Sequence, residues 1–163
     1  MPRHAPANDD TSLGFAILLA NQQSVHTVDE RQLVEAARGV LRDSKFTSAT
    51  ISLAVVDDET IHELNRRYLA HDWPTDVLSF VLDERAGHLE GEIVISADTA
   101  ASSAAEIGWS PAAEQLLYII HGALHLVGYD DKTAAGADEM RAAEEGYLRR
   151  FGHALPRSPS GAE

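Results

Sequence analysis

Apolar and polar positions along this chain fall into blocks of two periods, and the blocks predict the order β-α-β-α-β-β-α-α-α. The run Phe15-Ala-Ile-Leu-Leu-Ala20 predicts a first strand. Thr27-Val-Asp-Glu30 opens a helix whose acidic start suits the helix dipole, with Leu33, Val34, Ala37, Val40 and Leu41 at helical spacing behind it. Ala49–Val56 alternates and is β-branched, so it predicts a second strand, closed by Asp57 and Asp58. Thr60–Leu69 predicts a helix with Ile61, Leu64 and Tyr68 on one face. Asp72-Trp-Pro-Thr-Asp76 is turn chemistry, because proline fixes its own φ and holds Trp73 extended. Val77–Leu82 and Gly91–Ser96 predict two further strands, with 84–90 as the connection between them. Ala97–Ile107 predicts a helix ended by Gly108. Ser110 caps the next helix, with Pro111 at its first position. Ala137–Phe151 predicts a last amphipathic helix, with Met140, Ala143, Tyr147 and Leu148 on one side and Gly152 as its stop.

This order predicts an α+β protein of one domain, a mixed sheet of about four strands with about five helices packed against it. Residues 1–12 read as a flexible leader, 13–153 as the domain and 154–163 as a flexible tail. A chain of 163 residues is long enough for a sizeable core. It has no cysteine, which excludes disulfides and thiolate metal sites. No apolar run approaches the roughly 20 residues of a membrane span, and no signal peptide opens the chain, so the expectation is a soluble, cytoplasmic protein. The formal net charge is −13, the opposite of a free-standing nucleic-acid binder.

The chemistry is concentrated in Tyr118-Ile-Ile-His-Gly-Ala-Leu-His-Leu-Val-Gly-Tyr-Asp-Asp131. His121 and His125 are four residues apart, so on a helix both imidazoles share a face and can meet one metal ion. A histidine pair alone is weak evidence. Here Leu116, Leu117, Ile119, Ile120, Leu124, Leu126 and Val127 make the helix apolar nearly all round, which predicts a buried central helix. Unpartnered histidines on such a helix are costly, and a metal would satisfy both. Gly128 ends the helix, after which Asp130 or Asp131 can supply a third ligand.

His121-Gly-Ala-Leu-His-Leu-Val-Gly-Tyr-Asp-Asp131 resembles the H-G-x-L-H-L-x-G-Y-D-H signature of the YbeY family, bacterial zinc-dependent endoribonucleases that act as ribosomal RNA maturation factors. Leu64-Asn-Arg-Arg-Tyr68, Asp72-Trp-Pro-Thr-Asp-Val-Leu-Ser-Phe80 and Gly91-Glu-Ile-Val-Ile-Ser96 resemble further blocks of the same family, so the likeness runs from about Phe15 to Gly152. There are two departures. Asp131 stands where the family has its third histidine ligand, and Leu69 stands where it has an arginine. The resemblance implies metal ligation by His121, His125 and Asp131; Tyr129 and Asp130 are candidates to orient the ligands, and Asp130 is the alternative third ligand. The resemblance also implies that Asp76 and Ser79, with Thr75, face the metal site. Arg66 and Arg67 are candidates for the phosphate contact that the missing arginine would have made.

The implied function is metal-dependent endonucleolytic cleavage of single-stranded RNA, in 16S rRNA 3′-end maturation and ribosome quality control. The expected cofactor is one zinc ion. Asp131 adds a negative, hard oxygen donor, which weakens the ion as an acid and lets manganese or iron compete. Expected partners are rRNA and ribosomal particles, with a ribosomal protein or GTPase able to supply RNA affinity; neither membrane nor DNA is expected. Gly122 occupies the position where H-E-x-x-H metalloproteases carry their glutamate base, which argues against a peptidase and leaves the catalytic base unassigned. The alternatives are another metallohydrolase, or a non-catalytic ribosome-assembly adaptor whose metal is structural.

Overall fold

The computed structural model describes residues 14–69 and 76–156. Expectations for residues 1–12, for the turn residues 72–75 and for most of the tail fall outside the described residues. The elements are β1 (Phe15–Asn21), α1 (Glu30–Arg42), β2 (Ser48–Val56), α2 (Asp58–Leu69), β3 (Val77–Arg85), β4 (His88–Ser96), α3 (Ala97–Ile107), α4 (Pro111–Leu126) and α5 (Ala134–Arg150), in the predicted order.

The strands form one mixed sheet in the order β1-β2-β4-β3. β1, β2 and β4 are parallel, and β3 returns antiparallel along β4. The alternation of β2 explains its place. Ala49, Ile51, Leu53 and Val55 are buried on one face, while Thr50 and Ser52 are exposed on the other. That first face carries the main core, which continues into α1, α3, α4 and α5. On the opposite face α2 covers only one end of the sheet, through Ile61 against Val56, Leu78 and Val94.

α4 lies at the centre, in contact with α1, α3, α5, β3 and β4. Leu116, Ile119, Ile120 and Leu124 are fully buried, and each such side chain contributes roughly 1.5–3 kcal/mol of burial. Ser110 accepts from the Ala113 N–H at 3.0 Å, which caps the start as the sequence predicts. The close seat of α4 on the sheet rests on Gly122. A Cβ there would stand 2.7 Å from Ile93 Cγ2 on β4. Thr27 joins α4 from the loop before α1, its carbonyl accepting from Gln115 Nε2 at 3.2 Å. The helix itself starts at Glu30, with the Asp29 side chain as its cap.

Several boundaries differ from expectation. α2 starts at Asp58 rather than Thr60, so Asp58 belongs to the helix and does not close β2, and the Thr60 N–H donates to Asp57 Oδ1 at 2.8 Å. Residues 84–90 are not a long connection. β3 runs on to Arg85, β4 begins at His88, and only Ala86 and Gly87 turn the chain, both at positive φ (49° and 80°). Two successive positive φ values match the twist of a tight hairpin. Ala-Gly is a weak sequence signal for it, and the charged Asp83, Glu84 and Arg85 disguise the strand. His88, expected in a loop, therefore lies in β4, with Nδ1 2.6 Å from Ser48 Oγ. α5 starts at Ala134 rather than Ala137, because Thr133 caps it by accepting from the Gly136 N–H at 2.9 Å.

α1 and α5 are tied at the surface by Asp43, which accepts from Tyr147 Oη at 2.8 Å and Arg150 Nη2 at 3.0 Å. The Tyr147 hydrogen bond, joined by the Arg150 hydrogen bond and charge and by the charge of Arg42, holds the Asp43 carboxyl below its ordinary value of 3.8 and outweighs burial, which pushes it up.

Two predictions follow from this packing. Gly122→Ala forces Ile93 or the helix to shift and destabilises by about 1–3 kcal/mol, measured by denaturant unfolding. Asp43→Asn destabilises at neutral pH. Because the folded-state pKa is depressed, the Asp43 contribution is complete above pH 3.8 and is lost as pH falls through the lower folded value. Melting temperatures of wild type and variant therefore converge as pH falls below 3.8, and a gap that does not narrow in acid contradicts the assignment.

Candidate metal centre

The spacing of His121 and His125 puts both imidazoles on one face of the last turns of α4, with ring centroids 4.6 Å apart. α4 ends at Leu126 with Val127 as its C-cap, and Gly128 takes φ 114°, a conformation open to glycine but strained for other residues. The Tyr129 N–H reaches back to the Leu124 carbonyl at 2.9 Å, so the chain folds over the helix end. That reversal brings Asp131 against both histidines. One carboxylate oxygen lies 3.9 Å from His121 Nε2, the other 3.9 Å from His125 Nε2.

These three residues offer one donor atom each, all within 4.8 Å of one another. The residues fit a divalent cation: two neutral nitrogens and a carboxylate, each able to make a bond of about 2 Å, with positions left open. Asp130 stands outside this group of three. Its carboxylate accepts from the Lys132 N–H at 2.9 Å and shapes the turn. Its carbonyl sits so close to Gly136 that any side chain at that position would collide with it.

His121 has a second partner that the sequence did not single out. Its Nδ1 is 2.6 Å from the carboxylate of Glu144 on α5, a residue only 8% exposed. A carboxylate accepts, so Nδ1 carries the proton and Nε2 keeps its lone pair for the site. Burial lowers the His121 pKa, but the hydrogen bond and charge of Glu144, followed by the charges of Asp131 and Asp76, outweigh it and hold the pKa above its ordinary value. The sequence did contain a signal for Glu144. It stands four residues after Met140 and four before Leu148, both buried, so it interrupts an apolar stripe with a charge.

Beside His121 a cavity of about 420 Å³ opens between α4 and α5, walled by Asp76, Tyr118, Asp131, Arg141 and Glu144 among others. Glu114 closes its far side, accepting from Trp109 Nε1 at 2.6 Å. Burial raises the Glu114 carboxyl, against the hydrogen bonds from Trp109 and Tyr118.

The other sequence candidates are distributed around this centre. Asp76 is exposed at the cavity mouth and its charge reaches His121. Ser79 is half-buried on β3 opposite Ile93, the residue against which Gly122 packs. Tyr129 and Asp130 line an open cleft on the far side of the Gly128 turn. Arg66 and Arg67 lie in the exposed last turn of α2, both paired with Glu63, and do not line the cavity beside His121.

Glu144→Ala removes the group that fixes the His121 ring. It weakens divalent-metal affinity about 10- to 100-fold in a competition titration against a chromophoric chelator, while the circular dichroism spectrum stays unchanged.

The family model described as Endoribonuclease YbeY matches residues 18–152. An endoribonuclease YbeY from Moorella thermoacetica is 41% identical over 81% of this chain and 94% of its own length. One from Desulforamulus reducens is 42% identical over 85% of this chain and 98% of its own. The solution structure of TM1509 from Thermotoga maritima superposes with a TM-score of 0.58 at 26% identity, covering 83% of this chain and 87% of that one. Matched along most of its length and carrying the paired histidines on a buried helix, the chain belongs to the endoribonuclease YbeY family.

Proposed function

We propose that this protein is a metal-dependent endoribonuclease that cuts single-stranded RNA, acting in ribosomal RNA maturation, including the 16S 3′ end, and in ribosome quality control. One observation carries the reading: His121, His125 and Asp131 converge on one spot, His121 and Asp131 line an open cavity and Glu144 stands behind His121, in a chain of the YbeY endoribonuclease family. A bound divalent ion supplies Lewis-acid polarisation of a phosphoryl oxygen and a lowered pKa for water.

The residues of the chain do the rest. His121 and His125 bind through Nε2, and Asp131 adds a charged oxygen donor. Glu144 holds the proton on His121 Nδ1 and keeps that ring in register. Zinc suits this donor set, and the hard carboxylate strengthens the claim of manganese or iron. Gly122 faces Ile93 of the sheet, so a glutamate there would be driven into the core and away from the histidines. This disfavours the peptidase alternative.

Asp76, Ser79, Tyr129 and Asp130 flank the path of the RNA. Arg66 and Arg67 stand in for the arginine replaced at Leu69, each shared with Glu63 until a phosphate competes. The net charge of −13 gives a ribosomal protein or GTPase partner a role in delivering the enzyme to rRNA in the cytoplasm. Among the described residues, no helix is long and apolar enough to cross a membrane.

The test is elemental analysis joined to RNA cleavage. Wild type carries about one divalent ion per chain and cuts single-stranded RNA. A chelator abolishes cleavage, and so do His125→Ala and Asp131→Ala, with loss of the ion. Asp131→His keeps both ion and cleavage and shifts metal preference towards zinc. Cleavage that survives chelation, or a protein that loads metal and cuts no RNA, overturns the reading; the latter leaves an assembly adaptor with a structural metal.

A further inference from the structure

The last turn of α2 leaves an aromatic ring in the open. Tyr68 is 61% exposed although its position continues the apolar face of Ile61 and Leu64. Its ring meets the edge of Phe80 on β3, with centroids 6.4 Å apart and planes at 73°. The Arg67 guanidinium lies over it at 5.9 Å from the ring centroid. Next to it runs a groove of about 600 Å³, floored by Ala54, Val56 and Val94 and walled by Leu64, Phe80 and Leu82.

This groove lies on the face of the sheet opposite the histidine helix. Val77 faces Gly122 of α4, so by strand alternation Val77 and Ser79 look towards the histidine helix and Leu78 and Phe80 towards α2. β3 is the edge of the sheet, so a chain lying on one face can pass round it to the other.

We propose that Tyr68 is a stacking platform for an unpaired base of the RNA, with Arg66 and Arg67 holding the adjoining phosphates. The proposal rests on the RNA-cleaving function above. A flat exposed aromatic ring beside a guanidinium is the feature by which proteins hold single strands with little sequence preference. Charge favours this occupant at that end of the groove: Arg66 and Arg67 are two guanidiniums against the single carboxylate of Glu63. Glu92 and Gln22, at the groove itself, present no cation to a phosphate, so the backbone follows the arginine side and only the base enters. Tyr68 is thus a positioning residue, placed away from the reacting atoms.

Fluorescence anisotropy of a labelled single-stranded RNA with metal-free protein tests this apart from cleavage. Tyr68→Ala weakens binding about 5- to 100-fold, Tyr68→Phe leaves it unchanged, and an abasic strand is insensitive to either variant. Arg67→Ala weakens binding and flattens its salt dependence. In cleavage of the same strand by metal-loaded enzyme, Tyr68→Ala raises KM and spares kcat. Tyr68→Phe, which keeps the ring against Phe80, retains the wild-type melting temperature, and Tyr68→Ala retains the wild-type circular dichroism spectrum. If wild type binds and cuts RNA while Tyr68→Ala binds within twofold of it, the platform is overturned and the groove is left to a protein partner. A wild type that neither binds nor cuts RNA overturns the functional reading along with it.

Discussion

The near contact between α4 and β4 at Gly122 sets the position of everything that bears on chemistry. Without a side chain there, the helix settles onto Ile93 and lies among α1, α3 and α5 as well as the sheet. A rigid, water-excluded helix can carry two imidazoles at its solvent end with little freedom to wander. The ligands inherit their precision from the core, and a cavity-forming or overpacking change far from them would be felt at the site.

The centre is completed by segments with different mechanical support. His121 and His125 are built on the helix. Asp131 is held by a turn that depends on Gly128 at positive φ, on the Asp130 side chain and on the bare Cα of Gly136. Glu144 comes from α5, which Asp43 fastens to α1 through Tyr147 and Arg150. Its grip on His121 gathers negative charge with Asp131 and Asp76 around one spot, and an ion that neutralises that charge is the natural complement.

What the sequence made legible was local. Periodicity and capping chemistry delivered the element order, the end of α3 and the start of α4, because Gly108 and Ser110 act on their own neighbours. The histidine pair was legible for the same reason, since spacing on a helix is geometry. The β3–β4 hairpin was hidden because Ala86 adopts a conformation the sequence gives no reason to expect, and because charged residues occupy an exposed edge. Glu144 left only the faint trace of a charge within the Met140–Leu148 stripe, because its partner is 23 residues away and its neighbour Glu145 makes it look like surface. Gly122 was noticed for the base it lacks, whereas its role is to let the helix approach the sheet.

The irregularity in β3, where the pairing with β4 shifts between Val81 and Asp83, has a consequence for how the protein behaves among copies of itself. β3 is an open edge that exposes Val81 and Leu82, and a straight edge of that kind is a template for another chain to extend the sheet. The shift breaks the regular row of backbone donors and acceptors, and Asp83, Glu84 and Arg85 follow it with charges. An edge interrupted in this way is a poor template for edge-to-edge pairing, even with Val81 and Leu82 exposed on it.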